Sequence, residues 1–234
     1  MTTETAPLDR RHRRRLETIE EVLDHAIAIM AEEGVAGLSL GEIARRMGIR
    51  TPSLYVYFPS KHALYDALFA RGWRELLAAM QPVYSAVDDD QAGDLAEIML
   101  RSGRVMSRWA VENAAYAQLL FWRPVPGFRP SDEAYAPAIE LYEQSLSRLA
   151  QLQERGLIRR NIDVDDVQRD WTIVISGVVS QQLANAPDQS FDSGRFITAL
   201  PGLVDMFVAH YGVPARTQTA AHTTSRRRGH ADRR

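Results

Sequence analysis

The sequence contains no cysteine, which excludes disulfide scaffolding, thiolate catalysis, Cys-ligated zinc, iron–sulfur clusters and thiol redox sensing. Its six histidines are scattered along the chain and form no H-x-x-x-H pair. Neither a metal site nor another cofactor is therefore expected. No apolar run reaches the ~18 residues of a membrane span, and no apolar segment follows the basic opening MTTETAPLDRRHRRR. The expectation is a cytoplasmic protein with no membrane partner. Lysine is almost missing. Of 28 basic residues only Lys61 is one, a single compact ammonium where every other cation is an arginine fork.

The 234 residues, 45% hydrophobic and 25% charged, have the composition of an ordinary globular protein of one large or two modest domains. The net charge of −2 hides an uneven distribution. Five arginines fall between Arg10 and Arg15 and six in the last nineteen residues, whereas acids gather at Asp88 to Asp90 and Asp163 to Asp166.

Residues 37–41 read GLSLG, a literal match to the G-x-S-x-G elbow that presents a serine nucleophile in α/β-hydrolases. That elbow needs a strand before it, and the flanking sequence offers none. From Leu16 the residues Ile19, Val22, Leu23, Ala26, Ile27 and Met30 recur at helical spacing, with Gly34 as a stop. Ser39 stands three residues before Glu42, the spacing of a capping box. Ser39 thus reads as the cap of a short second helix from Leu40 to about Met47. Gly48 supplies a positive φ for a tight turn, and Ile49 is expected to bury beneath it. Thr51 as cap and Pro52 at the first helical position predict a third helix from Pro52 through Phe58, with Leu54 and Phe58 in the core. Pro59 ends it, and Ser60 caps a fourth helix continuing to Met80. The pattern stays helical beyond, over 92–112, 114–122, 132–155, 164–186 and 192–211, with loops at 123–130 and 156–163. The fold class expected is all-α. Its parts are a basic arm over 1–15, a three-helix helix-turn-helix domain over 16–65, a larger helical domain over 66–212, and a disordered basic tail over 213–234.

Two short helices joined by a glycine turn form a helix-turn-helix, whose second helix enters the major groove while the first spans the phosphates. The stretch SLGEIARRMGIRTPSLYVYFPSKHALYDAL further resembles the N-terminal domain of TetR/AcrR-type transcriptional regulators, over about residues 17–68. The likeness rests on Ile43-Ala44, Gly48, Leu54-Tyr55, Tyr57-Phe58, Ser60-Lys61 and Leu64. For residues 75–212 it is only general. It implies that Thr51, Ser53 and Tyr57 face the groove and that Tyr55 and Lys61 hold phosphates; tyrosine hydroxyls and a cation at a helix N-terminus suit that role. Pro52 departs from many relatives, which have a free N–H there, and Arg50 is positioned to compensate. Ser39, Arg50, Thr51, Pro52, Ser53, Tyr55, Tyr57 and Lys61 are therefore the candidate DNA contacts. The N-terminal arginines either follow phosphates, enter a minor groove, or form a solvated arm.

Helices 171–185 and 196–211 are apolar on more than one face, with Ser176, Gly177 and Gly202 permitting close approach, and are the expected homodimer interface. Between head and dimer helices lie Met99, Met106, Trp109, Tyr116, Phe121, Trp122 and Tyr142. Their spacing suits core or cavity equally, and the resemblance favours the lining of a small-molecule pocket for an apolar or aromatic effector. The reading is a non-enzymatic dimeric repressor on a palindromic, double-stranded operator, released by a small-molecule effector. A DNA-binding architectural protein without effector, or a helical carrier or enzyme, are the alternatives. No paired carboxylates or phosphate-cradling glycine loop supports the last.

Overall fold

The computed structural model describes residues 10–91 and 93–214; the first nine residues of the expected arm and the tail beyond Pro214 lie outside them. Among the described residues the chain is helical: α1 (Arg10–Glu33), α2 (Leu40–Arg46), α3 (Thr51–Leu54), α4 (Lys61–Asp88), α5 (Leu95–Glu112), α6 (Ala114–Trp122), α7 (Asp132–Glu154), α8 (Val164–Asn185) and α9 (Leu200–Tyr211). Short 3-10 turns stand at Val35–Gly37, Phe191–Ser193 and Ile197–Ala199. No strand forms among these residues, only an isolated bridge between Ile158 and Gly212. No helix among them is long and apolar enough to cross a membrane.

Two compact units emerge. Among the described residues, one contains 10–74 together with Asn113–Pro137; the other contains those of Glu75–Glu112 and 138–214. The first buries Val22, Ile29 and Met30 of α1, Ile43 and Ala44 of α2, and Leu64, Leu68 and Phe69 of α4. Helix α1 begins at Arg10, earlier than the apolar periodicity marks, because arginine is itself a good helix former. Leu54 and Phe58 are buried at 0% and 5% exposure as expected. α6 joins this unit through Gly72 of α4, where an added Cβ would stand 2.8 Å from the Tyr116 ring.

In the second unit α5 meets α8 and α9 at Gly103, whose absent side chain leaves room for Trp171, Ile175 and Leu200. The single helix expected over 192–211 is broken. Pro201 sits in the first turn of α9, a position that suits helix initiation. The preceding turns are held by Gln182, buried at 1% exposure: its amide donates to the Ala186 carbonyl at 2.6 Å and accepts from Phe196 N–H at 3.1 Å. Arg159, in the 156–163 connection, donates to the Gly212 and Ala209 carbonyls, each at 3.0 Å, so its guanidinium closes the C-terminal end of α9.

Candidate functional site

The helix-turn-helix is built by local chemistry. Ser39 caps α2, its Oγ accepting the Glu42 N–H at a long 3.5 Å. Glu42 does not complete the capping box. Its carboxylate instead accepts from Arg45 Nε at 2.7 Å and from Arg46 Nε at 2.9 Å, while Arg46 also grips Glu32 of α1. The two guanidinium groups, Arg45 first, hold the Glu42 carboxyl down at about 2 from an ordinary 4.5, since hydrogen bonds to the charged form favour it. α2 is thereby bolted to α1, and both its arginines are spent within the protein.

After α2 the turn is a Schellman motif. Ile49 N–H donates to the Ala44 carbonyl at 3.0 Å and Gly48 takes a φ of 67°. Ile49 does not bury beneath the turn as expected but remains 37% exposed. Helix α3 starts at Thr51, so Arg50 and not Thr51 occupies the cap position, without a side-chain bond. The regular helix ends at Leu54, short of the expected Phe58. Tyr57 and Phe58 N–H both donate to the Leu54 carbonyl at 2.9 Å and continue the segment as a tight turn ended by Pro59. Ser60 caps α4 as expected, accepting from Ala63 N–H at 3.0 Å.

The candidate contacts are distributed along this surface. Arg50, Pro52 and Ser53 are exposed, Thr51 and Tyr57 half-buried, and Tyr55 is 51% exposed. Arg50 has no ion pair among the described residues, in contrast to Arg45 and Arg46. Lys61 lies beside the segment leading to Ser39, its Nζ donating to the Ala36 carbonyl at 3.2 Å. The Arg15 guanidinium of α1 stacks over Tyr57 at 5.2 Å, which brings the arginine-rich start of α1 to the α3 turn. Sequence reasoning missed Val56. It is 68% exposed between the two tyrosines, and a β-branched apolar residue in a turn was its only signal.

The second unit holds a cavity of about 30 Å³ whose lining includes Val83, Tyr84, Met99, Arg148, Gln168 and Trp171. Of the seven residues expected around an effector, only Met99 borders it. Tyr116, Phe121 and Trp122 belong to the first unit, where Phe121 packs edge-on against Trp73 and Trp122 is 40% exposed. Met106 and Trp109 lie in α5 away from this lining. Tyr142 is exposed, its hydroxyl donating to Asp165, which raises the phenol's pKa. The cavity instead carries a polar group of its own. Ser145 donates to Gln168 at 2.6 Å, and Arg148 covers the Tyr84 ring at 4.7 Å while donating to Asp88 at 2.8 Å. Burial pushes the Tyr84 phenol up, and Ser145 and Arg148 pull it partly back.

A short exposed helix presented by a two-helix platform, with exposed donors and, at its start, an arginine without an ion pair among the described residues, is the arrangement of a helix-turn-helix. The comparisons agree. The family model described as "Bacterial regulatory proteins, tetR family" matches residues 22–68, the segment that holds the helix-turn-helix. It is 31% identical over 136 residues to the HTH-type transcriptional regulator Rv1816 of Mycobacterium tuberculosis, a match covering 58% of this chain and 57% of that protein. The chain thus spans little more than half the length of that curated relative. Among solved structures it resembles the TetR family transcriptional regulator PfmR from Thermus thermophilus, with a TM-score of 0.61 and 18% identity over 82% of this chain and 98% of that one. It also resembles FadR from Bacillus subtilis, solved in complex with stearoyl-CoA, with a TM-score of 0.62 and 15% identity over 81% and 97% of the two chains. These two likenesses are of fold.

Proposed function

We propose that the protein is a homodimeric transcriptional repressor that binds a palindromic operator through two copies of its helix-turn-helix and is released by a small, largely apolar effector. The observation that carries the reading is the free Arg50 at the start of α3, with Ser53, Tyr55 and Lys61 exposed or half-exposed nearby in the chain, next to a platform whose own arginines are already neutralised. Arg50, Tyr55 and Lys61 take phosphates; Thr51, Ser53 and Tyr57 take the groove, with Pro52 shaping the helix start and Ser39 at the phosphate-spanning helix.

Support for the dimer comes from α8 and α9. Ile173 and Met206 are 62% and 71% exposed, and apart from their chain neighbours and the backbone of their own helices nothing approaches within 4 Å of where a Cβ would stand on Gly177 or Gly202. One short helix reads only a few base pairs, and a two-fold pair of heads matches a palindrome. Support for an effector comes from the cavity, and from the FadR neighbour having been solved with stearoyl-CoA. Helix α4 is continuous from Lys61 to the cavity residues Val83 and Tyr84, with Pro82 removing one backbone hydrogen bond just before them. An effector acts only by binding the released arrangement more tightly than the DNA-bound one.

The test is binding of the purified protein to duplex DNA flanking its own gene and to a scrambled duplex over a salt series, with Lys61→Ala and Tyr55→Phe beside wild type. Sequence-selective binding with a steep salt slope is expected, and Lys61→Ala should lower the slope by about one unit. Equal weak binding to own-gene, scrambled and random-selected duplexes overturns the reading.

A further inference from the structure

The cavity of the second unit has a chemical bias. Among the described residues, two buried donors on its lining lack any hydrogen-bond partner: the Trp171 indole N–H and Arg148 Nε. Trp171 is 3% exposed and Gln168 6%. The amide acceptor nearby is already engaged, since Gln168 Oε1 takes the Ser145 hydroxyl at 2.6 Å. The remaining guanidinium nitrogens of Arg148 are committed to the Gln144 carbonyl at 3.0 Å and to Asp88 at 2.8 Å. An unpaired buried donor is costly, and two on one cavity call for an acceptor.

We propose that the effector is an uncharged molecule with an apolar body and one hydrogen-bond-accepting oxygen, such as a ketone, ester or lactone carbonyl, which docks against Trp171 and Arg148. The inference rests on the reading that this cavity is the effector site. Asp88 already balances the charge of Arg148, so a carboxylate would enter as a second, unbalanced anion and lose its hydration without return. A carbonyl oxygen accepts both donors and carries no such cost. The apolar part of the wall, Val83, Val87, Ile98, Met99, Leu149 and Leu152, suits the apolar body, while Tyr84, Ser102, Ser145 and Gln168 make up the polar remainder. At about 30 Å³ the cavity holds the oxygen, or the water it displaces, and not a hydrocarbon body. Sites for small ligands usually span roughly 300–1,000 Å³, so the body enters only as α4, α5, α7 and α8 part. Occupancy and conformational change are then the same event.

The experiment uses the full chain and three matched probes: methyl heptyl ketone, the alkane nonane and nonanoate. Binding is followed by NMR at the Met99 methyl and at the indole N–H resonances, of which four tryptophans give four; Trp171→Phe identifies the relevant one. The ketone should bind about tenfold more tightly than either other probe and move the Trp171 N–H downfield. Trp171→Phe should remove that advantage while leaving nonane unchanged. Arg148→Lys, which keeps a cation for Asp88 and deletes Nε, should reduce it too and guards against misfolding of the first variant. Equal binding of ketone, alkane and carboxylate at Met99 overturns the acceptor assignment and leaves the effector cavity standing. No response at Met99 to any probe overturns both.

Discussion

Tyr65 of α4 donates its buried hydroxyl to the Val35 carbonyl at 2.6 Å. One turn earlier on the same helix, Lys61 donates to the Ala36 carbonyl at 3.2 Å. Two consecutive carbonyls of the 3-10 turn are thus held by α4, and that turn leads straight into Ser39 and the start of α2. The first bond is sealed from water and structural. The second is half-exposed and open to exchange for a phosphate oxygen, which would relieve a cation held at a helix N-terminus.

The two bonds are separable by mutation. Tyr65→Phe leaves the Val35 carbonyl unpaired in the core and should cost about 1–3 kcal/mol, read as a lower denaturant midpoint at unchanged slope. Lys61→Ala should change stability by less than about 0.5 kcal/mol, as exposed substitutions do, yet weaken DNA binding. A large stability loss in Lys61→Ala would show that the ammonium serves the fold and not the phosphate.

The α1–α2 clamp should be acid-sensitive. Glu42 is held at about 2 against 4.5 unfolded by Arg45 and then Arg46, and Glu32 is lowered by Arg46. A carboxylate with a depressed folded-state pKa contributes stability that is complete above the unfolded value and disappears as pH falls through the folded one. The contribution should therefore be full above pH 4.5 and decline towards pH 2. Arg45 and Glu32 are exposed while Glu42 and Arg46 are half-buried, so added salt should shrink it only in part. NMR titration of the Glu42 carboxyl should give a midpoint near 2, returning towards the ordinary value in the Arg45→Ala, Arg46→Ala double variant.

The head was legible in the sequence because its punctuation is short-range. Gly48, Pro59 and the Ser60 cap each act within a few residues, and the segment 114–122 is likewise bounded locally by Asn113 and the left-handed Arg123. What escaped depends on distant chain. Glu42 left the capping box because Arg45 and Arg46 outcompete a backbone N–H for its charge. Gln182 reads as surface from its polarity and is buried because it ties together two breaks that only the folded chain brings near. Aromatic periodicity marked Tyr116 and Trp109 as buried, which they are, but carries no information on which buried side chain borders empty space. The cavity's polar members, Tyr84, Ser102, Ser145, Arg148 and Gln168, come from four helices and have no common signature along the chain.

The exposed apolar side chains of α8 and α9 give a direct test of assembly. Ile173→Glu and Met206→Glu place charges where 62% and 71% of each residue now meets water in the single chain. Neither should unfold the protein. Each should shift it from dimer to monomer in sedimentation and, with the heads unlinked, lower operator affinity by about 10²-fold or more through lost effective concentration. Unchanged sedimentation in the double variant would move the interface elsewhere.

Val56 offers the final test, because an apolar side chain 68% exposed at the tip of the turn proposed to read DNA has no reason to stay apolar in water. The one apolar feature on the floor of the major groove is the thymine methyl. If Val56 meets one, Val56→Ala should cost about 1–1.5 kcal/mol of operator affinity, at about 0.8 kcal/mol per buried CH₂, without changing the salt slope. Replacing thymines by uracil one at a time should then find a position where wild type loses a similar amount and Val56→Ala loses almost none. Equal loss in both proteins at every position would show that Val56 does not read the sequence. A fall in salt slope would show that the substitution had disturbed the flanking tyrosines instead.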